Sequence, residues 1–221
     1  MKRIFGIPVV AMLLLAIGLG GCADTKSHTQ GVYMLVDTSG TYAHQLDHAQ
    51  RIINYTLAKL NPGDSFAVAD VNTASFTQNN IIDKVTFDDR PSVANEQKRQ
   101  FREAIDNFVK HVRPSAYTDI TGGVLQAIEW LDELNPGTKT ILIFSDMKQD
   151  LKKGYVRNIP FQMSGFNVVA LNVTKLSSDN VDPRLYMDRL DAWQKKVESG
   201  GGKWRVINDL QRLSGMLGNN D

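Results

Sequence analysis

Cysteine is nearly absent from this chain: its 221 residues hold one, Cys22. A single thiol closes no internal disulfide. A charge excess is missing as well. Lys and Arg total 25 against 24 Asp and Glu, a formal net charge of +1, which excludes a bulk electrostatic pull on nucleic acid. There is no G-x-x-x-x-G-K-[ST] phosphate loop. His44 and His48 stand four apart, but Gln45 occupies the position where a helical zinc protease needs Glu, so the pair reads as a solvated helix face. What remains is ordinary globular composition, 42% hydrophobic and 22% charged. The length suits one large domain with a core that needs no staples.

The first residues do not read as part of that domain. Lys2 and Arg3 precede an apolar run from Ile4 to Leu19 that is broken by small residues and Pro8. The run is too short and too glycine-rich for a spanning helix, and its basic start fits an export signal. It ends in Leu19-Gly20-Gly21-Cys22, which resembles a bacterial lipoprotein lipobox. The resemblance implies cleavage after residue 21 and a lipidated, palmitate-type anchor on Cys22. Loss of Lys2 and Arg3 takes the mature formal charge to −1. Ala23 after the cysteine resembles an outer-membrane destination in a Gram-negative cell envelope. The tether Ala23 to Gln30 is eight residues long and reaches about 28 Å when extended. The expected organisation is therefore a signal peptide 1–21, an anchored tether 22–30, a domain 31–217 and a tail 218–221.

The domain is organised around Gly31 to Thr41, GVYMLVDTSGT. Val32 to Val36 is an apolar run of the kind that fills a buried strand. It stops at Asp37, followed by Thr38, Ser39, Gly40 and Thr41. A carboxylate at the mouth of a buried strand is costly unless something satisfies it, and in an open α/β sheet that mouth is where ligands bind. Asp37, Ser39 and Thr41 alternate, so one tight loop aims a carboxylate and two hydroxyls at one point. Hard oxygens of this kind suit Mg²⁺ or a similar divalent cation.

Strand and helix periodicities alternate along the rest of the chain. Helical spacing runs from Tyr42 to Leu60, with Leu46, Ala49, Ile53, Leu57 and Leu60 on one face. Asn61-Pro62-Gly63-Asp64 turns the chain. Ser65 to Val71 and Ile81 to Phe87 read as an antiparallel pair of strands. Ala94 to Val112 reads as a helix, with Phe101, Ala104, Ile105, Phe108, Val109 and Val112 forming its stripe. A further helix carries Val124, Ala127, Ile128, Leu131 and Leu134 inward. Thr140 to Phe144 is a buried strand that leads to a second acid, Asp146. A connection of uncertain structure, 148–163, comes before a strand from Phe166 to Val173. A helix from Pro183 to Val197, an edge strand from Lys203 to Ile207 and a short helix from Asp209 to Leu217 complete the pattern. Trp130, Trp193 and Trp204 read as packing residues. The alternation predicts an α/β fold: a doubly wound, mostly parallel sheet with helices on both faces and one antiparallel edge strand. If the strands ending at Asp37 and Asp146 are neighbours, both acids face one crevice.

These motifs together resemble a von Willebrand factor type A domain with a metal-ion-dependent adhesion site. The Asp-x-Ser-x-Ser motif is matched by Asp37, Ser39 and Thr41, the last keeping its hydroxyl. The motif threonine is matched by Thr118 in Tyr117-Thr118-Asp119-Ile120. The late aspartate is matched by Asp146 after Ile141-Leu142-Ile143-Phe144-Ser145. The resemblance covers Gly31 to Leu217. It implies a metal site of Asp37, Ser39, Thr41, Thr118 and Asp146. In it Ser39 and Thr41 bind Mg²⁺ (or Mn²⁺ or Ca²⁺) directly, and Asp37 and Asp146 act largely through water. It implies a protein partner that offers an Asp or Glu carboxylate to the ion, and no catalysis. Two departures fall on the rim: Met147 stands where members commonly carry Gly, and the connection 148–163 is long.

Other readings compete. Asp37 and Thr118 near helix starts also suit N-capping. Residues 37–41 superficially resemble the nucleophile loop of haloacid-dehalogenase-like phosphotransferases, with Asp37 forming an aspartyl-phosphate. That loop's second acid is missing at Ser39. Ser39 likewise interrupts the Asp-Thr-Gly of aspartic proteases. A metal-independent scaffold in envelope or secretion machinery is a third reading. Lys148, Lys152, Lys153 and Arg157 either attract an acidic partner or form a solvated loop.

Overall fold

The computed structural model describes residues 28–40, 42–72 and 77–209, together with 212, 213 and 215. The expected signal, Cys22, most of the tether, Thr41, most of the expected terminal helix and the tail lie outside the described residues.

The apolar run forms strand β1, Gln30–Asp37, buried along its whole length. Its side chains alternate between two cores, as a pleated strand requires. Val32, Met34 and Val36 face one layer; Tyr33 and Leu35 face the other. The helix expected from Tyr42 starts later, as a 3-10 turn at Ala43–Gln45 followed by α1, Leu46–Lys59. The preceding residues close three-residue turns instead: Tyr42 N–H donates to Ser39 O and Gln45 N–H to Tyr42 O, each at 2.8 Å.

The turn after α1 uses Gly63 at φ +85°, which glycine adopts without a Cβ penalty. Asp64 then ties this turn to β1, accepting the backbone N–H groups of Gln30 and Asn61 at 2.7 Å each. Strands β2 (Ser65–Val71) and β3 (Ile81–Thr86) pair antiparallel, as expected. Helix α2, Pro91–His111, begins three residues before its expected start, because Pro91 at the first helical position has no N–H to leave unpaired. Its face is carried by Ala94, Phe101 and Ile105, with Val109 and Val112 packed against the core more loosely.

Helix α3 spans Ile120–Leu134 and β4 spans Thr138–Phe144. Leu134, expected to face inward, is exposed. Strand β5, Phe166–Leu171, stops two residues before its expected end. Asn172 adopts a left-handed φ of +54° there, which no continuing strand accommodates. A short helix α4, Ser177–Val181, was not expected; α5 (Arg184–Ser199) and β6 (Lys203–Ile207) follow.

The six strands run in the order β3-β2-β1-β4-β5-β6, with only β3 antiparallel. Helices α1 and α2 cover one face and α3 and α5 the other. From β1 the chain passes through α1 to β2 on one side, and it returns from β3 through α2 and α3 to β4 on the other. The boundary between β1 and β4 is therefore the topological switch point, and the crevice beyond their carboxyl ends is the place for a ligand. Among the described residues no helix is long and apolar enough to cross a membrane.

Candidate metal centre

Strand β1 delivers Asp37 at its last position, and β4 delivers Asp146 two residues past Phe144, its partner across from Val36. Asp37 is fully buried and Asp146 nearly so. The two Asp37 oxygens are both engaged. Oδ1 accepts the Ser39 N–H at 2.8 Å and Oδ2 accepts the Ser145 hydroxyl at 2.6 Å. Asp146 Oδ1 accepts the Lys148 N–H at 2.8 Å.

Burial pushes both carboxyls above their ordinary range. For Asp37 the hydrogen bonds from Ser145 and Ser39 oppose that push. For Asp146 the Lys148 N–H opposes it, and the nearby Asp37 charge adds to it. Asp146 feels the charges of Arg189 and Lys148, but neither acid has a direct ion-pair partner among the described residues; two neighbouring buried carboxylates of this kind fit a cation.

The remaining donors converge on the same crevice. Ser39, Gly40, Ser115, Ala116, Thr118, Asp146, Lys148 and Asp150 line an open pocket of about 310 Å³. Asp37, fully buried, adjoins this lining through its hydrogen bond to the Ser39 N–H. The Ser39 loop is pinned to the segment before α3, where Ser115 N–H donates to Thr38 O at 2.8 Å. Thr118 is pinned by two backbone bonds with Asp150, at 2.8 and 2.9 Å. Among the described residues no group of three or more His, Cys, Asp or Glu gathers. The donor set is two carboxylates plus hydroxyls, all hard oxygens, and it suits Mg²⁺, Mn²⁺ or Ca²⁺ better than zinc.

Of the five residues singled out in the sequence, Asp37, Ser39, Thr118 and Asp146 come together at this crevice. Thr41 lies outside the described residues. The capping alternative fails for Thr118, because Asp119 is the residue that caps α3, accepting the Gly122 N–H at 2.8 Å. His44 is exposed, while His48 sets its ring edge-on to Phe144 at 5.7 Å. Trp193 packs in the core as expected, and its indole N–H also donates to Met147 O at 2.8 Å.

Met147 explains one of the rim departures. Its φ is +65°, the left-handed conformation that favours glycine. Its side chain is buried in the core between the sheet and α3 and α5. The position keeps the backbone geometry of the commoner glycine and adds apolar volume. On the basic loop, Lys148, Lys152 and Lys153 are exposed, but Arg157 is not a solvated cation: its Nε donates to buried Asp119 at 2.9 Å.

Sequence reasoning missed three supporting residues. Ser145 was legible in principle, since it sits at the strand end immediately before the motif acid. Arg157 and Arg189 had no local signal. Arg189 Nε donates to Asp146 O at 2.9 Å while its terminal nitrogens hold Asp179 at 3.2 and 2.8 Å.

No family model matches the sequence, and no curated protein matches it. Solved structures do match the fold. A von Willebrand factor type A protein from Catenulispora acidiphila aligns at 16% identity with a TM-score of 0.50, covering 86% of this chain and 41% of that one. The pilus adhesin SpaC from Lactobacillus rhamnosus GG, in its open conformation, aligns at 11% identity with a TM-score of 0.55, covering 89% of this chain and 30% of that one. This chain thus spans less than half the length of either. With a switch point between β1 and β4, helices on both faces and a single antiparallel edge strand, the chain has the von Willebrand factor type A fold.

Proposed function

We propose that the chain is a binding module that engages a protein partner through a divalent cation, Mg²⁺ or alternatively Mn²⁺ or Ca²⁺, held by Asp37, Ser39, Thr41, Thr118 and Asp146. The observation that carries this reading is the meeting of Asp37 and Asp146 at adjacent strand ends, buried and without a direct ion pair among the described residues, at a pocket lined by Ser39, Thr118 and Asp146 itself. Such a cation offers Lewis acidity to an incoming anionic oxygen. With few carboxylates in the set, it retains affinity for an Asp or Glu supplied by the partner. SpaC, of the same fold, is a pilus adhesin, and a protein-binding role is of that kind.

The module reading is favoured over a phosphotransferase. The nucleophile loop of such enzymes carries a second acid two positions on, and Ser39 stands there instead. In the same proposal, residues 1–21 are a signal peptide, Cys22 carries the lipid anchor, 22–30 are the tether, 31–217 the domain and 218–221 a tail. The module then works at the cell envelope, at the outer membrane if the cell is Gram-negative.

Calorimetric titration of Mg²⁺ and Mn²⁺ into the full chain tests the site. Binding is expected to disappear in Asp37→Ala and Thr118→Ala. Partner capture from membrane extracts is expected to be lost with the same substitutions and with chelator. Equal binding by all three proteins would remove the metal site.

A further inference from the structure

The loop that presents Thr118 is held from outside. Residues 118–121 lead into and open α3; α5 reaches them through Lys196, whose Nζ donates to Thr121 Oγ1 at 2.8 Å, and three further attachments come from the connection after β4. Gln149 Oε1 accepts the Thr121 N–H at 2.9 Å. Asp150 exchanges two backbone bonds with Thr118. Arg157 Nε donates to Asp119 Oδ2 at 2.9 Å. The first two are neutral hydrogen bonds. The third is an ion pair with side-chain exposures of 18% for Arg157 and 0% for Asp119.

Capping alone does not call for that arrangement. An N-cap aspartate needs one oxygen for the helix N–H and ordinarily leaves the other in water. Asp119 gives Oδ1 to Gly122 and has its Oδ2 buried, so that oxygen depends on Arg157. The fit is tight: a Cβ on Gly122 would lie 2.5 Å from Asp119 Oδ2. Tyr155 covers the outer side of the guanidinium, with the charge centre 5.7 Å from its ring centroid. A buried ion pair contributes little net stability over an apolar replacement, but breaking one leaves an uncompensated charge. Its use here is geometric. The connection has no regular structure between Lys148 and Gly165, and Arg157 is the charged anchor that fixes it against α3.

We propose that Arg157 is a positioning residue for Thr118: its ion pair with Asp119 holds the 149–157 strap against the front of α3 and so sets where the Thr118 hydroxyl stands in the crevice. The assignment to the metal rests on the function proposed above; the mechanical assignment to Thr118 does not.

The test compares the full chain with Arg157→Ala and Arg157→Lys. One reading is backbone amide exchange in chelator; the other is Mn²⁺ titration. Arg157→Ala is expected to speed exchange at Thr118 and Asp150 by about tenfold or more while leaving Leu35 and Leu142, in the central strands, within about twofold. Mn²⁺ affinity is expected to fall by about tenfold, and Arg157→Lys, which keeps the charge but loses the guanidinium's Nε–H and its contact with Tyr155, to recover part of both effects. Unchanged exchange at Thr118, or equal acceleration in the central strands, overturns the proposal. If Arg157→Ala does not fold, the pair Arg157→Met with Asp119→Asn removes both charges and keeps a capping side chain. Wild-type exchange at Thr118 in that pair also overturns it. Wild-type Mn²⁺ affinity in Arg157→Ala defeats the positioning role and leaves the metal reading standing. Loosened exchange in a chain that binds no Mn²⁺ defeats the metal reading and leaves the positioning role.

Discussion

Ser145 Oγ donates to Asp37 Oδ2 at 2.6 Å, and the same oxygen accepts the Met147 N–H at 3.0 Å. One hydroxyl on the β4 side thereby supports the acid of β1 and the backbone beyond Asp146.

Ser145→Ala strands a buried carboxylate oxygen and a buried N–H. The expected loss is about 2–4 kcal/mol. Urea denaturation of the full chain in chelator measures it. A loss below about 0.5 kcal/mol would mean that neither group depends on Ser145.

Asp37 shares the pH dependence with Asp146, Asp70 and Asp83, whose carboxyls burial also raises. Burial raises the folded-state pKa of Asp37 above the usual 3.8, so the ion-free folded chain binds this proton more tightly than the unfolded chain does. Stability from this group is fully present below the ordinary carboxylate range and is lost as pH rises through the raised folded value. Asp37→Asn should remove part of that slope and stabilise the ion-free chain at pH 7, because the amide can donate to Ser145 while its oxygen still accepts from Ser39. Denaturation from pH 4 to 7, with and without the substitution, checks the sign. The wild type's divalent affinity should move the opposite way, weakening as pH falls.

Met147→Gly sets two effects against each other. Relief of the left-handed backbone is worth about 1 kcal/mol. Removal of a fully buried Met side chain costs about 2–5 kcal/mol. The packing loss wins, and a net destabilisation of about 1–4 kcal/mol is expected from thermal or urea unfolding. A stabilised Met147→Gly would show that the backbone strain is the larger effect.

Gly123 lets α3 lie close on the sheet. A Cβ there would stand 2.9 Å from both Leu35 and Val71 side chains. Gly123→Ala should destabilise by about 1–3 kcal/mol through overpacking, and because α3 carries the Thr118 loop at its front, divalent affinity should fall too. Unfolding and Mn²⁺ titration in one sample set separate these two outcomes.

Much of the fold was legible because burial writes itself into periodicity. The unbroken apolar runs at Val32 to Val36 and Thr140 to Phe144 marked strands covered on both faces, and the three- and four-residue spacings in α1, α2 and α3 marked their inner stripes. The acids at strand ends marked the crevice. Features set by the local chain were less readable: the turns of 3-10 helix before α1 and the left-handed Asn172 that ends β5 depend on hydrogen bonds with no repeating pattern. Contacts between distant segments were not readable at all. Arg157 sits in a run of cations that looks solvated, and only the folded chain brings it to Asp119, 38 positions away. Arg189 reaches the Asp146 carbonyl across 43 positions.

The direction of β1 has a practical consequence. From Gln30 to Asp37 the strand rises about 23 Å, so the start of β1 and the pocket occupy opposite poles. Strand β6 runs parallel to β5, and through it to β1, so its last residue, Ile207, emerges at the pocket's own pole. The two chain ends are therefore unequal handles. A carrier joined ahead of Gln30 leaves the pocket facing away from it and open to large partners. The same carrier joined soon after Ile207 crowds the entrance. A surface-immobilised binding experiment should give opposite answers with the two orientations.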